Sequence, residues 1–349
     1  MAIKKGVYKT IKRIQKRTHK KRNNKMKKKT LKKYKKSNKS GGGKEKKSKK
    51  SKKKSKKSLN KLKKESCAPK KNNSKSDYTC YSNGNLKRLR ELWNVRHPDK
   101  PIYESTPKKI WTNLNYAMKN VCDKESCWFN KQMNGIDDFD MKKFKKDFAP
   151  KKPDSWSNKP DTWLNSTDIL NVMKQYEDAY PVFEFIGPSP IDFDDHHHNG
   201  ECVWKELCEF DLESHLKENK KKVGVIFNLD PHYKSGSHWV AMFINSDKKE
   251  VCYFDSYGEN PPKEVKTLGK RILKQSEELS DKFNDFKGFK FKVCSKRHQY
   301  SNSECGVYSL YFIIQLLKDK QDSSYFSKNR ISDEYVKKFR DIYFNDFSG

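Results

Sequence analysis

Four residues in the second half of the chain have the types and spacing for thiol chemistry: His238, Asp255, Gln299 and Cys305. A cysteine becomes a strong nucleophile when a neighbouring imidazole takes its proton, and a carboxylate holds that imidazole in one tautomer. An amide donor nearby then binds the oxyanion that forms when the sulfur attacks a carbonyl. For each residue alone a structural role is the simpler reading, since buried cysteines are usually inert and strand histidines usually structural. Their order and the elements that carry them favour the chemical one.

Residues 238–244 and 250–255 are short, aromatic and β-branched runs separated by Asn245-Ser246-Asp247-Lys248-Lys249, which predicts an antiparallel hairpin. With the turn centred between Ser246 and Asp247, His238 falls directly opposite Asp255, on one face. Cys305 opens an apolar run to Lys318, which predicts a buried helix of about four turns, with polar capping candidates at 300–304. There the thiol meets the positive end of the helix dipole, and its own N–H points toward an oxyanion. Gln299 is placed to add a second donor, and Gly306 to leave the approach to the nucleophile open.

Gly-Ser-His238-Trp239, Tyr-Phe-Asp255-Ser and Gln299 followed by Cys305-Gly-Val-Tyr resemble the signature of the ubiquitin-like-protein protease and adenain superfamily. The flanks 187–193 and 223–233 are similar to the polyprotein-processing proteases of large DNA viruses, the poxvirus core protease and its asfarvirus relative. Lys109-Ile110-Trp111 with Cys122 and Cys127-Trp128 resembles the arm of the asfarvirus enzyme, so the likeness covers about residues 85–320. It implies a cysteine endopeptidase with Cys305 as nucleophile, His238 as general base, Asp255 as its orienter and Gln299 as oxyanion donor. It further implies cleavage of viral structural precursors after small, glycine-containing sites, in the virion or the host cytoplasm at the viral factory. Trp239 is the candidate wall of a narrow substrate cleft, and the family places Trp163 near the substrate channel; core packing is the plain alternative for both. Two rival functions remain: a deconjugase of ubiquitin-like proteins, and a nucleic-acid-binding virion protein with a vestigial protease fold.

The elements that must position this site occupy the rest of the chain. Residues 1–76 hold 35 of the 79 Lys and Arg and only Glu45 and Glu65, a net of +33, whereas the other 273 residues are nearly neutral. Such a tail cannot bury a core and is expected to be disordered. Polyanion binding, with DNA or RNA as the leading partner, is its simplest function, and scarce aromatics argue against base readout. Gly41-Gly42-Gly43 is either a hinge in the tail or a site of self-cleavage. Residues 77–152 read as a helical arm, with Leu86, Leu89 and Trp93 on one face and Ile110, Leu114 and Met118 on another. Residues 153–349 read as the catalytic domain, an α+β fold with a mixed central sheet. The stretch Asp161 to Asp168 precedes a capped amphipathic helix, 182–186, 223–229 and 289–294 are strands, and 262–279 is a helix. Ser332–Phe344 is expected to close the fold as one helix with Tyr335, Phe339 and Ile342 inward.

No apolar run is long enough for a membrane span and no apolar leader precedes the basic tail. Nine cysteines without a secretory signal are expected to be reduced thiols. Cys122 and Cys127 do not match a zinc pair, and His196-His197-His198 reads as a polar loop, so no metal or cofactor is expected. Oligomeric state is not encoded in any pattern here.

Overall fold

The computed structural model describes residues 65–70, 77–131, 136–282 and 288–347. Most of the basic segment, and with it the expectations of a disordered tail and of a cut at Gly41–Gly43, lies outside the described residues. Residues 58–349 cluster as one compact unit.

Five strands form one sheet in sequence order: β1 (Phe183–Pro190), β2 (Lys222–Asn228), β3 (Trp239–Asn245), β4 (Glu250–Phe254) and β5 (Lys290–Cys294). The β1–β2 and β4–β5 pairs are parallel and the two central pairs antiparallel, which makes the mixed sheet of an α+β fold. Every residue of β3 is buried, so both faces are covered. Trp239, Ala241 and Phe243 point to one core with Phe254 and the helix Cys305–Leu317, while Val240, Met242 and Ile244 point to another with Val265, Leu268 and Ile272 of the helix Lys263–Lys282. In Cys305–Leu317 only Gln315 escapes burial. A helix apolar all round is stable only inside a fold, and this one lies across β3 in the centre of the molecule.

The arm carries its own core. Helices α1 (Asn83–Arg96), α2 (Pro107–Met118), α3 (Ser126–Lys131) and α4 (Asp138–Lys145) enclose Leu86, Leu89, Trp93, Ile110, Leu114 and Met118, all buried, as the 3–4 spacing predicts. Asn165 and Asp168 form a reciprocal capping box at the head of α5 (Ser166–Ala179).

Three expectations fail in instructive ways. Residues 65–70, counted with the tail, dock on the arm: Cys67 bridges Phe148 and is bonded to Cys80, and Glu65 accepts from the Ser126 backbone. Charge composition cannot register a single anchoring cysteine. The thiols are not all reduced, because Cys67–Cys80, Cys122–Cys127 and Cys202–Cys208 are bonded, leaving Cys252, Cys294 and Cys305 free. The compartment argument weighs surroundings, whereas pairing depends on which sulfurs the fold brings within reach.

The closing helix is the third. It breaks into Asp333–Lys337 and Arg340–Tyr343, with Val336, Arg340 and Tyr343 inward; of the three expected residues, Phe339 is partly buried against the core, while Tyr335 and Ile342 are about half exposed. The inward face takes in the next position because Arg340 is drawn inside by a buried carboxylate. That partner is Glu304, 2.8 Å away.

Candidate active site

The hairpin register sets the site. Ala241 pairs with Phe254 and Asn245 with Glu250, so the ladder, continued, puts Asp255 opposite Val240 and Tyr257 opposite His238. The expected direct pairing of His238 with Asp255 is therefore displaced to a diagonal one. Lys249 takes a left-handed φ of 55°, and the Asn245 side chain accepts from the Lys248 N–H, which makes a four-residue turn centred later than the sequence implies. The displacement is even, so both side chains keep a common face. They also lie one residue beyond the ends of β3 and β4, at one end of the central strands.

There the His238 Nε2 and Asp255 Oδ1 are 2.7 Å apart, with both residues buried. The Cys305 thiol acts on the same ring, and it too favours the protonated imidazole. Tyr257 completes the holder: its ring stacks on His238 at 4.7 Å and its N–H donates to Asp255 Oδ1 at 2.9 Å. Burial pushes the His238 pKa down, but the hydrogen bonds and charges of Asp255 and Cys305 outweigh it and raise the value to about 9. His298, also buried, goes the other way: desolvation lowers it to about 4, and its Nδ1 accepts the Ile331 N–H. Two histidines near one centre thus differ in charge at neutral pH, and only His238 has the carboxylate.

The raised value has a signed consequence. The folded pKa near 9 exceeds the unfolded 6.5, so proton binding favours the folded state. That stabilisation is full below pH 6.5 and is lost as pH rises through about 9. Denaturant unfolding of wild type and Asp255→Asn between pH 6 and 10 checks it: the difference between the two is expected to shrink across this window, and a constant difference contradicts it.

Cys305 is the first residue of its helix, so its N–H has no partner within that helix. The expected side-chain cap is absent, since Glu304 at the cap position instead accepts from Arg340 Nε and from Ser303 Oγ. Gln299 is fully buried. Its Oε1 accepts from Ser256 Oγ at 2.6 Å, and its Nε2 donates to Ser301 O at 3.0 Å, which leaves the second amide hydrogen for a ligand. The backbone carbonyl of Ser256 accepts from both His298 and Gln299 N–H groups. Consecutive residues, Asp255 and Ser256, therefore orient the imidazole and the amide respectively. Sequence reading missed Ser256, Tyr257 and Arg340; the signal for the first was its position beside Asp255, and the other two had none.

Beside this centre lies a cleft of about 830 Å³ lined by Trp163, Leu164, Pro188, Asn228, Gly236 and Trp239 among others. Trp239 is buried, donates its indole N–H to Leu164 O at 2.9 Å, and serves the core and the cleft together. Trp163 is about 45% exposed in the cleft wall, so it is not a core residue. Gly306 also has a packing role: a Cβ there would lie 3.1 Å from Leu164 Cβ and 3.3 Å from Trp239 Cδ1, so the glycine lets these cleft residues close on the helix Cys305–Leu317. Gly236, at φ 93°, similarly leaves room for the Asn228 side chain that accepts from the Ser237 and Asp230 N–H groups and shapes the loop leading to His238. Among the described residues one cluster of three metal-ligating side chains occurs, His196, Cys202 and Cys208, away from His238 and Cys305.

A mixed sheet with a His–Asp edge facing a cysteine at a helix N-terminus defines a cysteine-protease architecture. Residues 191–348 match the model of the Ulp1 protease family, C-terminal catalytic domain. The chain is similar to the putative thiol protease R355 of Acanthamoeba polyphaga mimivirus, 32% identical over 185 residues, which are 51% of this chain and 55% of the relative. It is also similar to the SUMO-1 cysteine protease of African swine fever virus, 34% identical over 119 residues, 34% of this chain and 41% of the relative. The chain thus spans about half the length of the curated relatives it matches. A crystal structure of the African swine fever virus protease shares the fold with a TM-score of 0.53 at 23% identity, covering 81% of this chain and 96% of that one.

Proposed function

We propose that this chain is a cysteine endopeptidase that cuts viral structural precursors after small, glycine-containing sites. The observation that carries the reading is the 2.7 Å contact of Asp255 with His238, whose ring also feels the Cys305 thiol, together with the Gln299 amide held by Ser256. In this scheme His238 carries the proton of the Cys305 thiol, and the sulfur attacks the scissile carbonyl. The oxyanion is held by the Cys305 N–H and the free hydrogen of Gln299 Nε2. His238 then protonates the leaving amine, and water, activated by the same ring, hydrolyses the thioester. Asp255 keeps the ring aligned throughout. Trp239 and Trp163 are the proposed substrate walls; the close packing of Leu164 and Trp239 at Gly306 supports a preference for small residues beside the cut.

Incubating precursor-rich virion extract with wild type or Cys305→Ala, then sequencing new N-termini, tests the proposal. New termini after glycine with wild type alone are expected; none, or the same set with both proteins, would end it. A second reading, removal of a ubiquitin-like protein from conjugates, is favoured by the Ulp1-type domain. Conjugates assayed in parallel decide between them. An enzyme dead on both, with Cys305 unreactive, would leave the vestigial-fold reading.

The lysine-rich segment 1–76, net +33, is proposed to hold nucleic acid and to gather enzyme and substrate on one polymer, in the virion or the viral factory. Removing residues 1–64 is expected to lower precursor processing on DNA while sparing a short peptide. Equal loss on both substrates would contradict the tethering.

A further inference from the structure

We propose that His196, Cys202 and Cys208 form a zinc-binding site in the thiol form of the chain, placed to stiffen the wall of the cleft. Their ligand atoms lie within 4.8 Å of one another, and His196 Nε2 is 3.7 Å from Cys202 Sγ. Tetrahedral zinc, with Zn–S of about 2.3 Å and Zn–N of about 2.0–2.1 Å, sets neighbouring nitrogen and sulfur ligands about 3.6 Å apart. The imidazole and the sulfur thus already stand one coordination edge apart.

The backbone holds His196 and Cys202 there independently of the sulfur–sulfur bond. His196 and Cys202 face each other in an antiparallel bridge, closed by His197 N–H to Glu201 O at 2.8 Å and Gly200 N–H to His197 O at 2.9 Å. Cys208 ends the short helix Lys205–Cys208 and comes back onto the pair. Of the bonded cysteine pairs, Cys202–Cys208 has an imidazole at its side, and no other three-donor group occurs among the described residues. Two thiolates and an imidazole select zinc over calcium or magnesium. Cys202 and Cys208 are half-buried and His196 is exposed, which leaves the fourth position open to water or a neighbouring side chain. The expectation of an exposed polar loop still describes His197 and His198; His196 is the one the bridge sets against a sulfur.

The site borders the substrate wall. Val203 and Trp204, between the two cysteines, and His197, beside His196, all line the cleft. Reaching the thiol form takes two electrons and two protons from a thiol reductant, which ends as its own disulfide. Zinc then displaces one proton from each sulfur and joins the strand of Cys202 to the helix of Cys208 through the metal.

The test uses the full chain as Cys305→Ala, so that the catalytic sulfur adds no ligand. The protein is reduced with a thiol, exchanged anaerobically into thiol-free buffer and titrated with zinc against a chromophoric chelator. Cobalt then reports thiolate ligation by its charge-transfer absorption. One saturable equivalent is expected, weakened about tenfold or more by His196→Ala, Cys202→Ser or Cys208→Ser. The cobalt band should disappear in either serine variant, and His197→Ala/His198→Ala should bind as the parent does. His196→Ala leaves every cysteine in place, so its loss of affinity cannot be ascribed to a missing disulfide. Absence of a saturable equivalent in the reduced chain, or affinity lost in the His197/His198 variant but kept in His196→Ala, overturns the proposal.

Discussion

Replacing Cys305 by alanine is expected to lower kcat on the best-cleaved peptide by on the order of 10⁴- to 10⁶-fold, the scale seen when a triad loses its nucleophile. KM should change little, because the cleft walls Trp163, Leu164 and Trp239 are untouched. His238→Ala should be nearly as severe, since the same unit fails, and the double variant should lose little more. Asp255→Asn is expected to be milder but still large: Tyr257 stacks on the ring and keeps it in place, yet the imidazolium loses its counter-charge. Activity falling in strict multiplication across the three sites would show that they do not act as a unit. Steady-state kinetics on one peptide, with unfolding curves to confirm that each variant folds, supplies the comparison.

The largest stability effect is expected at Arg340, far from the triad in sequence but not in space. Its guanidinium sits over Trp156 at 4.5 Å and donates to Glu304 Oε2 at 2.8 Å, to Thr162 O at 2.8 Å and to Ser303 O at 3.1 Å. Both charged side chains are buried. Removing the cation strands a carboxylate in the interior beside the helix Cys305–Leu317, which costs about 3–5 kcal/mol, or roughly 10 °C in Tm for a domain of this size. Arg340→Met should show that loss by thermal unfolding. Arg340→Met with Glu304→Leu should recover most of it, because an apolar pair of similar volume avoids the desolvation penalty. A single variant that melts within about 2 °C of wild type would contradict this account.

Much of the catalytic half was legible because its signals are local. The run after Cys305 is apolar on all sides, so helix and burial follow together. The aromatic and β-branched stretches around Asn245 give a hairpin, and an even error in its register still left His238 and Asp255 on one side. What the sequence hid are relations between distant residues whose types carry no periodic signal. Ser256 looks like any serine until its hydroxyl meets Gln299, 43 positions on. Arg340 reads as a solvent-facing residue of an amphipathic helix until Glu304 is seen waiting inside. Gly306 offers a local reason, an unobstructed approach to Cys305, and gives no sign of the second one, the close approach of Leu164 from another helix's leading loop. The anchoring of residues 65–70 escaped for the same cause: one cysteine in a lysine-rich background joins them to the arm.

The central claim is that His238 activates one thiol among the free cysteines, and selective alkylation measures it most directly. All three free cysteines are buried, but desolvation raises the thiols of Cys252 and Cys294, Cys294 to about 11 and Cys252 further still, and only Cys305 has the His238 ring beside it. A small thiol-directed electrophile given to the folded protein at pH 7 should therefore modify Cys305 alone, as read by peptide mass mapping, and His238→Ala should slow that labelling sharply. Labelling of Cys305 no faster than of Cys252 and Cys294, or unchanged without the imidazole, would contradict it.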